Sequence, residues 1–117
     1  MSSKLDRIKD WLPLIRTARY RAENLPDLAN SSARNLRRHF LERFGKPTQE
    51  RLDELRAEEA RDGIMDGESE KVLADRLGFK SSSHFSVFFK RRFKVSPRMF
   101  LSRAFRRDDE PPSQKVA

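Results

Sequence analysis

Two groups of side chains in this chain have the types and spacing to do chemistry, and for both the chemistry is recognition of a polyanion. The first lies in Gly78–Pro97, GFKSSSHFSVFFKRRFKVSP. On a helix, Phe85, Phe89 and Phe93 repeat at i, i+4, i+8 with Phe88 beside them, so they form one stripe. Ser83, Val87, Lys90 and Arg91 project from the other side. The aromatics fix such a helix to a core, and the acid-free outer face is left for a negatively charged partner, the arrangement of a DNA recognition helix. The second group is Arg34, Arg37 and Arg38, which cluster opposite a stripe of Leu36, Phe40 and Phe44. A guanidinium can bond O6 and N7 of guanine together, worth about 1–3 kcal/mol of discrimination per good pair. The bland alternative is a solvated basic face that touches only phosphate, and which Arg reads a base stays open.

The remaining candidates are weaker. Val87, near the middle of the outer face, is either a contact to a thymine methyl or an incidental surface apolar. Ser82, Ser83 and Ser86 suit phosphates or bases, while Ser81 or Ser82 is expected to cap the helix. His84 reads as a groove-side or phosphate contact, and His39 as packing on the flank of its helix. Neither histidine has a Cys, His or carboxylate at ligand spacing, so no metal is expected. Lys90, Arg91, Lys94, Arg98, Arg103, Arg106 and Arg107 supply a non-specific electrostatic attraction. The phenylalanines are core, since their helical spacing already accounts for them. No Gly-rich phosphate loop, nucleophile elbow or paired acid and base points to an enzyme, and no cofactor is expected.

Charge supports the same partner. The chain has 117 residues, a net charge of +8 and a pI of about 10.4, a balance that suits nucleic acid or an anionic membrane surface. Residues 1–47 carry a net +6, residues 48–70 a net −6, and residues 80–107 a net +9 with no acid at all. Two basic blocks flanking an acidic connector suit two separate contacts with one polyanion. The carboxylates of the connector interleave with Arg51, Arg56 and Arg61, as on a solvated, salt-bridged face. There is no Cys, hence no disulfide framework. No apolar stretch approaches the roughly 18 residues of a membrane span, and MSSKLDRIKD lacks the apolar core of a signal peptide. A soluble cytoplasmic protein is expected.

Seven helices are expected to position these groups, with no strands. The first covers about Leu5 to Tyr20 and buries Ile8, Trp11, Leu12, Ile15 and Ala18, although Pro13 implies a kink or a later start with Trp11 near the beginning. A short second helix follows Asn24 as N-cap, with Pro26 in its first turn, and Asn30 takes a left-handed turn position. The third runs from the cap Ser32 to Phe44, closed by Gly45. A connector begins near Pro47 or Thr48, turns Leu52, Leu55 and Ala60 inward, frays at Gly63 and stops by Gly67. The fifth starts at Ser69 and uses Val72, Leu73, Ala74 and Leu77, ending at Gly78. The sixth is the aromatic helix. The seventh starts at Ser96–Pro97 and buries Phe100, Leu101 and Phe105. From Asp108 the tail reads as disordered. A short helix, a tight turn and a helix with a basic outer face thus occur twice, each a helix-turn-helix.

These residues resemble the DNA-binding domain of the AraC/XylS family of bacterial transcription regulators. The long motif is Leu73-Ala74-x-x-Leu77-Gly78-Phe79, then Ser82-Ser83-His84-Phe85-Ser86, Phe89-Lys90, Phe93, Ser96-Pro97 and Phe100. A second is Ser32-x-x-x-Leu36-x-Arg38-x-Phe40, Gly45, then Leu52, Arg56 and Ala60. Together they span about residues 8–103. The resemblance implies an all-α, homeodomain-like fold of two helix-turn-helix subdomains, residues 5–46 and 67–107, joined by a linker helix, residues 47–66, with residues 108–117 as the tail. It places base contacts on Arg34, Arg37, Arg38, Ser82, Ser83, His84, Ser86 and Val87. Phosphate contacts are expected from Ser32, Arg43, Lys80, Lys90, Arg91, Lys94 and Arg98.

The chain departs from the family pattern at several points. Pro26 stands where a small buried residue is usual, Asn30 where Gly is common, and Pro47-Thr48 where Ser-Pro precedes the linker. Gly63-Ile64 replaces a pair of leucines, Glu70 an aliphatic residue, and Lys94 a frequent Gly. Val87 stands where a polar reader is common, so the second half is expected to read fewer bases by hydrogen bonding or to dock differently.

The expected partner is double-stranded DNA, read in successive major-groove segments about 10 base pairs apart by a monomer. RNA polymerase is a second candidate partner, and a membrane is not. The chain is either a stand-alone regulator or the C-terminal part of a longer one. The competing reading is a helical protein–protein adaptor or a non-specific DNA-binding module.

Overall fold

The computed structural model describes residue 5 and residues 8–109, with side chains as far as Phe105. The described residues form seven α-helices and no strand: α1 (Leu12–Thr17), α2 (Leu25–Leu28), α3 (Ala33–Phe44), α4 (Thr48–Met65), α5 (Glu70–Arg76), α6 (Ser82–Phe93) and α7 (Pro97–Asp109), with a 3-10 turn at Ala22–Asn24. They divide into two compact units, residues 1–58 and 59–117, the division falling within α4.

In the first unit, α1 is much shorter than the expected Leu5–Tyr20. Pro13 sits in its first turn, a position that requires no N–H partner, and residues 8–11 are not helical. The helix ends because Arg19 and Tyr20 both turn left-handed, with φ of 57° and 60°. Two unfavourable residues in succession need outside support. Gln49, in the first turn of α4, provides it. Its Nε2 donates to the Tyr20 carbonyl at 2.9 Å and its Oε1 accepts from Ala22 N–H at 2.9 Å. Ile15, Ala18, Tyr20, Leu25, Leu36, Phe40 and Leu52 make the core, closed on one side by Trp11 edge-on to Phe40. Asn24 does not cap α2 with its side chain; its amide donates instead to the Ala18 carbonyl at 3.1 Å. Asn30 makes the left-handed turn, at φ 52°. Leu55 is half-buried.

In the second unit, α4 runs through Gly63 rather than fraying there. Gly63 is buried, and a Cβ on it would lie 2.3 Å from Cδ2 of Leu73 and 2.8 Å from a carboxylate oxygen of Glu68. The missing side chain is the space into which Leu73 packs. Gly63→Val is therefore expected to lower stability by about 1–3 kcal/mol through overpacking. A thermal melt checks this, and an unchanged midpoint would contradict it. Leu73 and Ala74 form the buried face of α5, Leu77 is buried at its C-cap, and Val72 points outward, 52% exposed. Phe105 is likewise 59% exposed, and Phe100 and Leu101 are half-buried. With Leu73, Ala74, Phe85 and Phe89 closing this core, neither Val72 nor Phe105 is needed to fill it. The expected disorder from Asp108 falls largely outside the described residues, as do the side chains of Arg106 and Arg107.

Candidate nucleic-acid interface

The first candidate helix is α3. Ser32 caps it, its hydroxyl oxygen accepting from Asn35 N–H at 3.1 Å, and Gly45 closes it at φ 70°. Leu36 and Phe40 are fully buried, and His39 packs with its ring centroid 5.6 Å from that of Trp11. Those three contacts fix the rotation of the helix. They leave Arg34, Arg37, Arg38 and Arg43 exposed. Arg38 is not loose: its Nη2 donates to Oδ1 of Asn35 at 2.8 Å. Arg34, Arg37 and Arg43 have no ion-pair partner among the described residues. The oxygen of Ser32 is engaged by the cap, but its hydroxyl hydrogen is left to donate to an acceptor outside the helix.

The second candidate helix is α6. Ser81, not Ser82, is the cap, accepting from His84 N–H at 3.2 Å. Phe85 and Phe89 are fully buried. Phe89 lies 4.5 Å from Phe93 and 5.4 Å from Phe100, ring centroid to centroid, and Phe79 stands edge-on to Phe85. Every ring of the stripe is thus in contact with another ring, which accounts for the phenylalanines without any base stacking. Ser82, Ser83, His84, Lys90 and Arg91 are exposed, Val87 is 58% exposed, and Ser86 is half-buried. Lys80 and Arg98, on either side of α6 in sequence, are also exposed. Arg92 is an exposed cation in the last turn that the stripe pattern did not single out.

Lys94 ends α6 in the left-handed conformation, at φ 69°, with its N–H on the Lys90 carbonyl at 2.7 Å. Glycine adopts this backbone without a steric penalty. Lys94→Gly is therefore expected to raise stability by about 0.5–1 kcal/mol. It should also weaken binding to every DNA sequence alike and lower the salt slope by about 0.9. Melting and a salt series of binding isotherms check both halves; a sequence-selective loss would place Lys94 on a base.

The acids of α4 are partly spent on internal pairs. Lys46 hydrogen-bonds Glu54, and Arg51 reaches the same carboxylate at 3.2 Å while lying 5.0 Å from the Phe44 ring centroid. The Lys46 hydrogen bond holds the Glu54 carboxyl below its ordinary range, against the desolvation that pushes it up, with Arg51 adding to the lowering. In the second unit, Arg76 pairs with Glu68 at 2.7 Å and Glu59 at 3.8 Å. The cations consumed in these pairs are not those on the outer faces of α3 and α6.

Comparison with known proteins agrees with this geometry. The family profile described as "Helix-turn-helix domain" matches residues 25–107. The HTH-type transcriptional activator RhaS of Enterobacter sp. (strain 638) is 33% identical over 97 residues, which cover 82% of this chain and 35% of that protein. The RhaS of Escherichia coli O1:K1 / APEC is 32% identical over 98 residues, covering 83% and 35%. The chain thus spans about a third of the length of these relatives. A transcriptional regulator with an AraC-type DNA-binding domain from Chromobacterium violaceum shares the fold, with a TM-score of 0.65 at 23% identity over 85% of this chain and 89% of that one. On the strength of the profile match, the chain belongs to the AraC/XylS family of DNA-binding transcription regulators, as a helix-turn-helix DNA-binding domain of that family.

Proposed function

We propose that this chain binds double-stranded DNA sequence-specifically, with α3 and α6 each entering the major groove. The base edges are read by Arg34, Arg37 and Arg38 from α3, and by Ser82, Ser83, His84, Ser86 and Val87 from α6. Ser32, Arg43, Lys80, Lys90, Arg91, Lys94 and Arg98 hold phosphates. One observation carries the reading. Both helices spend their apolar stripe on their own unit's core, and α3 and α6 leave outward a face of exposed Arg, Lys, Ser and His. Apart from Leu41 and Val87, such a face is polar, with much charge to neutralise.

A single chain supplies two reading units, so it acts on an asymmetric site as a monomer, with the two contacted segments about 10 base pairs apart. Like the RhaS proteins it resembles, it activates transcription, and RNA polymerase is its protein partner there. It works in the cytoplasm, on the nucleoid. No helix among the described residues is long and apolar enough to cross a membrane.

The experiment is a pair of titrations over a salt series, one with genomic-fragment duplexes upstream of the chain's own gene cluster and one with random-sequence duplex. A site bound at least about 10³-fold more tightly than random duplex supports sequence-specific regulation. Equal affinities that vanish together as salt rises would make the chain a non-specific binder.

A further inference from the structure

We propose that Asn35 is a positioning residue that commits Arg38 to guanine, and that Asn35 does not itself read adenine. The inference rests on the reading of α3 as a base-reading helix. Its starting point is the hydrogen bond from Arg38 Nη2 to Asn35 Oδ1, at 2.8 Å, between two exposed residues one helical turn apart. An arginine has donors and no acceptor, so the Asn35 atom facing it is the oxygen and not the amide nitrogen. The backbone of Asn35 is fixed in turn by the cap, its N–H lying on the Ser32 hydroxyl at 3.1 Å. The chain of contacts runs from the helix terminus through Asn35 to the guanidinium.

Two consequences follow. An asparagine reads adenine by donating to N7 and accepting from the N6 amino group. Here one lone pair of that oxygen is spent on Arg38 and the carbonyl is turned toward the guanidinium, so setting the oxygen and the amide side by side on one adenine would cost the Arg38 bond. The guanidinium, meanwhile, gives one N–H to Asn35 and keeps its other donors. The pair therefore presents mostly donors, which complements the O6 and N7 acceptors of guanine better than the amino groups of adenine and cytosine. A tethered fork also loses less freedom on meeting its base than a free one, and is held back from swinging to a nearby phosphate.

The test is selection of random duplexes on the 117-residue protein and on Asn35→Ala, Asn35→Asp and Arg38→Ala, followed by binding to duplexes differing at single positions. The wild type should prefer guanine at one position that Arg38→Ala abolishes. Asn35→Ala should reduce that same preference about five- to tenfold while leaving melting, random-duplex affinity and salt slope unchanged. Asn35→Asp keeps the acceptor and should restore the preference, with weaker binding to every sequence from the added negative charge. Loss of an adenine preference in Asn35→Ala, or failure of Asp to restore guanine, would overturn the proposal. So would an Asn35→Ala variant with an unaltered guanine preference. If Arg38→Ala alters no base position, the base-reading role of α3 fails and this inference falls with it. If Arg38→Ala alters one and Asn35→Ala does not, only the role of Asn35 fails.

Discussion

Phe89→Ala is expected to unfold the second unit while leaving the first folded. Phe89 is fully buried and its ring contacts Phe85, Phe93 and Phe100, so it ties α6 to α7 as well as to itself. Truncating a buried Phe to Ala costs about 3–5 kcal/mol. A unit of this size holds a total stability of about 3–9 kcal/mol, by the usual per-residue figure. At the low end of that range the substitution cancels it altogether. Amide spectra should show the signals of residues 59–109 collapsing while those of α3 keep their dispersion. DNA binding should then depend on the first unit alone, losing the contribution of α6 altogether. Retention of the α6 signals would mean that the aromatic stripe is not what seats the helix.

Arg38→Ala is expected to weaken binding to the preferred site by about 10- to 100-fold, the range that loss of one bidentate base contact implies. Binding to random duplex should fall by less than about threefold, because a base-reading Arg contributes little to the sequence-independent attraction. The stability of the fold should not change, since Arg38 is exposed and its side chain bonds Asn35 on the same helix. Titration of both duplexes, with a melt alongside, separates these outcomes. Equal losses on the two DNAs would assign Arg38 to a phosphate.

How much of this was legible in the sequence follows from how local each signal is. The Ser32 cap, the Gly45 stop and the left-handed Asn30 all came out as read, because each is decided by backbone groups within a few residues. The buried faces of α3 and α6 were also legible, since large aromatics at helical spacing leave little choice of rotation. What failed needed a partner distant in sequence. Gly63 reads as a helix breaker in isolation, yet it is buried in a continuous helix because Leu73, ten residues on, occupies its side-chain space. The early end of α1 depends on Gln49 holding the Tyr20 turn across nearly thirty residues, and no local pattern announces such a clamp. Val72 and Phe105 were assigned inward on hydrophobicity alone, and hydrophobicity is a one-way guide. For the candidate interface, periodicity and charge pointed to faces that the structure leaves exposed, while the bond between Asn35 and Arg38 was hidden. Its i, i+3 spacing was visible, but two polar side chains at that spacing are common and do not by themselves announce a contact.

The central claim is that two helices of one chain read DNA sequence, and selection of random double-stranded DNA on the purified protein at near-physiological salt tests it most directly. The account predicts enrichment of a site with two short blocks whose centres lie about one helical turn apart. It predicts a guanine in the block assigned to α3, and a second block with weaker base preference, since Val87 offers only a methyl contact where a polar side chain would discriminate more. Pools that stay random through successive rounds, with binding that disappears as salt rises, would contradict it.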